Sequence, residues 1–412
     1  MDFLHAGHPG RRVRLAYCLN VHPADDLKGV LAGIEQITAP LRERVAKGRE
    51  FGVGMYLPAA VAQPLAVDLA QLERLRATLD RHALVPFTFN AFPFGGFHEA
   101  GLKRRVFRPR WDEAERVAFT RAVAQVAEAL PGDRGHLSIS THAGMHSTEE
   151  GAAQALERCA PGYGDALAAL GEIEARTGRR VVLGVEPEPR SCANDSEQWG
   201  GGAAAQLASA ADASGLSLDT ARRHFGLCLD ACHAAVEFES LDAAAARARS
   251  AERPLAKFQF SSALRLPEPG ADAAGRAALR ALDEPTFLHQ VTARTSAGDL
   301  LRIGDLPELD QIDEPWLAAD EWRCHFHVPV DLERLPASGG LTTTLADADT
   351  LARHLLADPT LWGLDDLHLE IETYTWSVLT DATRGPGDLL DGLEREYAHV
   401  LALLDSAGWR PA

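Results

Sequence analysis

VVLGVEPEP, residues 181–189, is a short apolar run that ends on an acid, Glu186, and is stopped by Pro187. Just before it, Asp165 to Thr177 carries the Ala- and Leu-rich spacing of a helix and is closed by Gly178, as a helix C-terminus prefers. A helix, then an apolar strand, then a polar strand end is one turn of a βα repeat, and the unit recurs along the chain. The other strand-like runs are Leu15 to Asn20, Val53 to Leu57, Val85 to Asn90, Leu137 to Ser140, Gly226 to Asp230, Ala256 to Ser261 and Leu367 to Glu372. That makes eight, each gap wide enough for a helix, and Glu113 to Leu130 is a second long helical stretch, ending before Pro131 and Gly132. Parallel strands with right-handed crossovers and no shift in composition predict an α/β chain forming one closed (β/α)8 TIM barrel over residues 1–412. A doubly wound open sheet is the alternative; it is weakened because no Gly-rich nucleotide fingerprint follows any strand.

A ninth strand-like run, Arg323 to Val328 (RCHFHV), is more than a plain barrel needs. Together with FLHQVTART, a Ser-Ala-Gly-Asp turn and LLRIGDL, it predicts a β-hairpin insertion between the seventh and eighth strands, residues 262–330. A long insertion at a strand end reads as a lid over the open face or as an oligomer contact. Three Gly-rich spots, at Gly200, Pro267 and Ala337, read as surface loops.

With 46% apolar and 24% charged residues, the chain is globular, which excludes disorder, collagen and coiled coil. Its net charge of −18 repels phosphate backbones and anionic lipid, so nucleic acid and membrane are poor partners and a small-molecule metabolite is the better one. No secretory leader and no transmembrane run are read, and six cysteines without a CxxC pair predict buried thiols and a cytoplasmic location. The oligomeric state is not legible.

In a TIM barrel the carboxyl ends of the strands hold the chemistry. Here they carry Glu186, Asp230, Gln259 and Glu372, with His233 three residues beyond Asp230. Clustered buried carboxylates repel one another unless a cation sits among them, which predicts a divalent metal: Mn or Mg for an oxygen-rich set, Zn or Co if a histidine joins. The competing reading makes each acid a helix cap or an ion-pair partner. Glu188 and Glu370 are the neighbouring acids that could serve as supports or ion-pair partners instead. His325 and His327, two apart, point to one side of an extended strand and are candidates for a further ligand or for substrate contact. Asn90, Lys257 and His289 complete the candidate substrate contacts.

YCLNVHP, FNAFPFGGFH, EPEP, CLDACHAAVEFE, KFQFSSAL, HFHVPV and EIETYTW, between Tyr17 and Trp376, together resemble the E family of the Ebo-cluster metabolite-traffic proteins, within the xylose-isomerase-like barrel superfamily. That resemblance implies a divalent metal held by Glu186, Asp230, the Gln259 position and Glu372. Glutamine stands where the superfamily has histidine, so affinity is weaker or His327 takes the place. It further implies that Glu186 and Glu372 shuttle a proton and that His233 contacts substrate, while the Ebo family is associated with clusters that move or process a prenylated or polyketide-like precursor. The expected function is a metal-dependent isomerase or epimerase acting through an enediolate on a small polyhydroxylated carbonyl compound. The alternatives are a non-catalytic metabolite-binding or traffic protein and a metal-dependent phosphoesterase.

Overall fold

A computed structural model describes residues 1–22, 24–130, 132, 135–147, 152–247, 253–336, 340–379 and 387–412. All eight expected strands are present: β1 (Arg12–Cys18), β2 (Phe51–Tyr56), β3 (Leu84–Asn90), β4 (Leu137–His142), β5 (Val181–Glu186), β6 (Phe225–Asp230), β7 (Leu255–Phe260) and β8 (Asp366–Ile371). They are hydrogen-bonded in sequence order, and β8 closes on β1 in parallel register from Asp366 opposite Arg12 to Ile371 opposite Tyr17. The sheet is therefore a closed barrel. Every residue of β2, β4, β5, β6, β7 and β8 is buried, as strands covered on both faces must be.

The helices follow local rules. Ala152–Thr177 ends at Gly178, whose φ of +73° is the left-handed turn that glycine makes at least cost. Ala114–Ala129 stops before Leu130. The last helix, Leu389–Ser406, opens on a capping box between Asp388 and Asp391 and buries Leu393, Tyr397, Val400 and Leu404 in one stripe against the barrel. Each such side chain contributes about 1.5–3 kcal/mol by leaving water. The Gly200 segment, expected as a loop, lies inside the helix Ser196–Ser214. Asp195 caps that helix at Gln198, and Trp199 packs edge-on against Tyr163 and Phe225. Tertiary anchoring outweighs a glycine cost of roughly 1 kcal/mol each. The Ala337 spot falls on residues outside the described ones.

The barrel interior below the mouth is polar. Lys257 on β7 and Glu370 on β8 form an ion pair of 2.5 Å with both side chains at 0% exposure. Room for it comes from Gly54 on β2, where a Cβ would stand 1.6 Å from Glu370 Oε1. Ser138 donates to Thr88 at 2.8 Å and lies 2.8 Å from His368 Nδ1.

Between β7 and β8 the expected hairpin is present, Val291–Arg294 against Leu300–Ile303. It is part of something larger: with Leu264–Pro267, Glu321–Cys324 and Thr342–Thr343 it builds a five-stranded antiparallel sheet. Leu266, Ala293, Trp316 and Trp322 give this sheet an apolar core of its own. The RCHFHV strand is shorter than expected, ending at Cys324. Beyond it, His325 N–H donates to Gln290 O and Val328 N–H to Ser262 O. Phe326 turns into the insertion and stacks on His289, so alternation sends His325 and His327 the other way, toward the barrel mouth.

Removing one partner of a buried ion pair strands the other charge. Lys257→Met is therefore expected to lower unfolding free energy in urea by about 3–5 kcal/mol, and the double change Lys257→Met with Glu370→Met to recover most of that loss.

Candidate metal centre

Glu186 is the last residue of β5, Asp230 the last of β6, and Glu372 directly follows β8. All three are buried, and each offers a carboxylate oxygen within 4.8 Å of the others'. Asp230 acts as a helix cap and still keeps one oxygen without a partner. Its Oδ1 caps the short helix Ala231–Val236, accepting from His233 N–H at 2.9 Å, and also accepts from Ser261 Oγ–H at 2.9 Å. Its Oδ2 is buried and has no hydrogen-bond partner. Glu372 is held through Oε1, which accepts from Asn20 at 2.8 Å and from Asn90 at 3.1 Å.

Burial first, then the charges of Glu372 and Asp230, push Glu186 well above the usual carboxylate range. Burial, then Asp230 and Glu370, do the same to Glu372. The ammonium nearest in the interior, Lys257, is committed to Glu370. Three converging acids, one with an orphaned oxygen, fit a divalent cation. Glu186, Asp230 and Glu372 are the residues that would hold it.

Three imidazoles adjoin the acids. His233 Nδ1 lies 3.0 Å from Pro187 O and 3.5 Å from Glu186 Oε1. His327 and His233 come within ligand distance of Asp230, and His325 and His233 within ligand distance of Glu188. Glu188 accepts from Gln290 Nε2 at 3.3 Å, and burial raises it to about 8. His325, His327, His233 and Asn90 line the cleft together with Glu186 and Glu372.

Three candidates are placed otherwise. Gln259 does not line the cleft; its Oε1 is 2.9 Å from Cys228 Sγ and accepts from that thiol, while its Nε2 has no partner. Lys257 is tied to Glu370 in the interior and also donates to Phe89 O at 3.4 Å. His289 serves the insertion, with Nε2 3.0 Å from Glu284 and Nδ1 3.0 Å from His325 O. Neither Lys257 nor His289 has a free edge for substrate. Sequence reasoning left out Asn20, Gln290 and Tyr374. Asn20 ends the first strand-like run, so the strand-end rule applied to that run would have found it. Tyr374, 3.2 Å from His325 Nε2, and Gln290 carry no local signal.

The cleft leaves about 50 Å³ of free space, less than a typical small-molecule site. Its floor is acid, amide and imidazole; its walls are Phe92, Phe97, Phe287 and Tyr374. Thr286, Phe287 and Leu288 come from the insertion. No helix among the described residues is long and apolar enough to cross a membrane.

No family model matches the chain and no curated protein sequence is similar to it. Among solved structures, the barrel is similar to a crystal structure of the IOLI protein with a bound zinc atom. The TM-score is 0.46 and the identity 11%, over 96% of this chain and 99% of that one. It is also similar to the structure of an L-ribulose 3-epimerase, with a TM-score of 0.44 and 12% identity over 96% and 95% of the two chains.

The charge balance sets a pH dependence. His327, held down to about 4 by burial, stays neutral in the fold, so its contribution is lost only as pH falls below 6.5. Glu188 and Glu396, raised to about 8, stay protonated in the fold at neutral pH, and burial pushes Glu186 and Glu372 in the same direction. Their contribution is full below the unfolded value of 4.5 and is lost as pH rises. Chelator-treated protein is thus expected to lose stability from pH 6.5 to 8, by up to about 1.4 kcal/mol per pH unit for each retained proton. Saturating Mn²⁺ or Zn²⁺ should flatten that slope and raise the melting temperature. Thermal melts across the pH series check both effects.

Proposed function

We propose that the chain is a divalent-metal-dependent isomerase or epimerase that moves a proton on a small polyhydroxylated carbonyl compound. The observation that carries this reading is the meeting of Glu186 and Glu372 across Asp230, whose Oδ2 is left without a partner. A bound divalent ion would polarise the substrate carbonyl and offset the charge of the acids. Mn, Mg, Zn and Co all suit a donor set of this kind.

The residues themselves divide the work. Asn20 and Asn90 fix Glu372 through one oxygen and favour its ionised form, which leaves Oε2 to accept a proton from carbon. Glu186 has no such amide; the Cys228 thiol approaches it at 3.7 Å and His233 Nδ1 at 3.5 Å. In the forward direction Glu372 is the base and Glu186 the proton donor, and the reverse direction exchanges them. His233 orients a substrate hydroxyl from the rim. Phe92, Phe97 and Phe287 keep water from the exchanging proton. The insertion, residues 262–330 as read from the sequence, acts as a cover, a role supported by the position of Phe287, His325 and His327 in the cleft wall. Six buried, unbridged thiols support a reducing, cytoplasmic setting.

One observation favours a second reading, a metabolite-binding or traffic protein without turnover. Gln259 has its oxygen engaged by Cys228, so the ligand set that the superfamily resemblance implies is incomplete at that place. Asn90, His325 and Glu372 line one cleft, which suits either reading.

With Mn²⁺ or Co²⁺ and a panel of ketoses and related polyols in deuterated water, the protein is expected to incorporate deuterium next to the carbonyl. Glu186→Gln and Glu372→Gln should each slow that exchange by at least about a hundredfold. Full exchange in the Glu186→Gln protein would overturn the assignment of roles. Ligand binding with neither exchange nor isomerisation across the panel would select the traffic reading.

A further inference from the structure

Glu396, on the last helix, is fully buried and does not line the cleft. A buried carboxyl group must be satisfied by a cation or by hydrogen bonds, and its described partners are all neutral donors. Oε1 accepts from Val330 N–H at 3.1 Å and from Thr373 Oγ1–H at 2.6 Å, and Oε2 accepts from Trp376 Nε1–H at 3.2 Å. When the acid carries a proton the Thr373 hydroxyl can turn and accept, so that contact survives in either state.

These donors come from two separate segments, and both carry residues of the cleft. Thr373 directly follows Glu372, and Trp376 lies further along the same loop, beyond Tyr374. Val330 lies on the return from the insertion, just past His327. The segments also meet beside the cleft. His327 Nδ1 donates to Glu372 O at 3.1 Å, since a carbonyl only accepts, and Thr375 Oγ1 donates to His327 O at 2.6 Å.

A second feature of the helix serves the same loop. Gly392 stands one turn before Glu396 on the same face, in a helix interior where glycine is unfavourable. A Cβ there would overlap the indole of Trp376, lying 2.6 Å from Cζ3. The helix thus takes the ring of Trp376 on Gly392 and its N–H on Glu396. Docking of the helix needs neither, because Leu393, Tyr397, Val400 and Leu404 already bury an apolar stripe. Apolar burial is non-directional, whereas hydrogen bonds to a fixed acid set distance and angle.

We propose that Glu396 is a positioning residue that sets the Glu372 carboxylate and the Tyr374 ring in the cleft by holding Thr373, Trp376 and Val330 together. Its effect on metal affinity rests on the meeting of the strand-end acids alone. Its effect on proton transfer rests on the isomerase reading.

Thr373 offers the mildest test, because Thr373→Ser keeps the hydroxyl while Thr373→Val keeps the shape. Glu396→Gln sets an amide N–H against the Trp376 N–H, and Gly392→Ala displaces the indole with the acid intact. The full chain, stripped with chelator, is titrated with Mn²⁺ in a calorimeter. Thr373→Val, Glu396→Gln and Gly392→Ala are each expected to weaken Mn²⁺ binding by about tenfold, as loss of a group supporting metal ligands does, and Thr373→Ser to bind like the unaltered protein. In the deuterium-exchange assay the same three variants should lose kcat by a similar factor with KM unchanged. A purely structural role would lower Tm and leave Mn²⁺ affinity and kcat of the folded protein as they were. Unaltered Mn²⁺ affinity in folded Thr373→Val would therefore overturn the proposal, as would an equal loss in Thr373→Ser and Thr373→Val. The Thr373 pair decides the matter even where Glu396→Gln does not fold. If the unaltered protein binds Mn²⁺ but exchanges no proton with any compound of the panel, the isomerase reading fails and calorimetry still decides the role of Glu396. No Mn²⁺ binding by the unaltered protein overturns both.

Discussion

Glu186, Asp230 and Glu372 are held by three different strand ends in a space where their charges cannot all be left to water. Repulsion among buried acids is the constraint on which the mouth of this barrel is built. Part of the charge is spread into fixed donors: two asparagine amides on Glu372, a helix N-terminus and the Ser261 hydroxyl on Asp230. What remains is an unpartnered oxygen and two acids with a strong pull on protons. Such a site either takes a cation or keeps protons to hand, and the proposed reaction uses both properties.

The scaffold beneath answers to the same constraint. Lys257 brings a positive charge into the barrel interior and pairs with Glu370; its pull on Glu186 and Glu372 is smaller than the effect of their burial. Gly54 leaves the space in which that pair sits.

The insertion changes the character of the rim. Its own sheet and apolar core make it self-supporting, and the segment leaving its Glu321–Cys324 strand carries two imidazoles to acids that belong to the barrel. Apart from His233 on the helix after β6, nitrogen donors reach an otherwise oxygen-rich site by this route, because the seventh strand supplies Gln259, and that amide is occupied by Cys228.

The amino-acid sequence alone determined what depends on near neighbours in the chain. Strand periodicity, helix stops at Gly178 and Leu130, and acids at the ends of β5, β6 and β8 are local features, and local sterics and burial suffice to place them. The same locality explains the misses. Gly200 reads as a loop until Trp199 packs on Phe225, His325 and His327 read as strand residues until Cys324 ends the ladder, and Lys257 reads as a ligand contact until Glu370 is beside it. Only the tertiary structure decided which strand-end groups share a space and which oxygen of Asp230 is spent on a helix cap. Except for the cap that Asp230 makes to His233, these are settled by hydrogen bonds and charges between residues tens to hundreds of positions apart, where no periodicity in the chain records the distance.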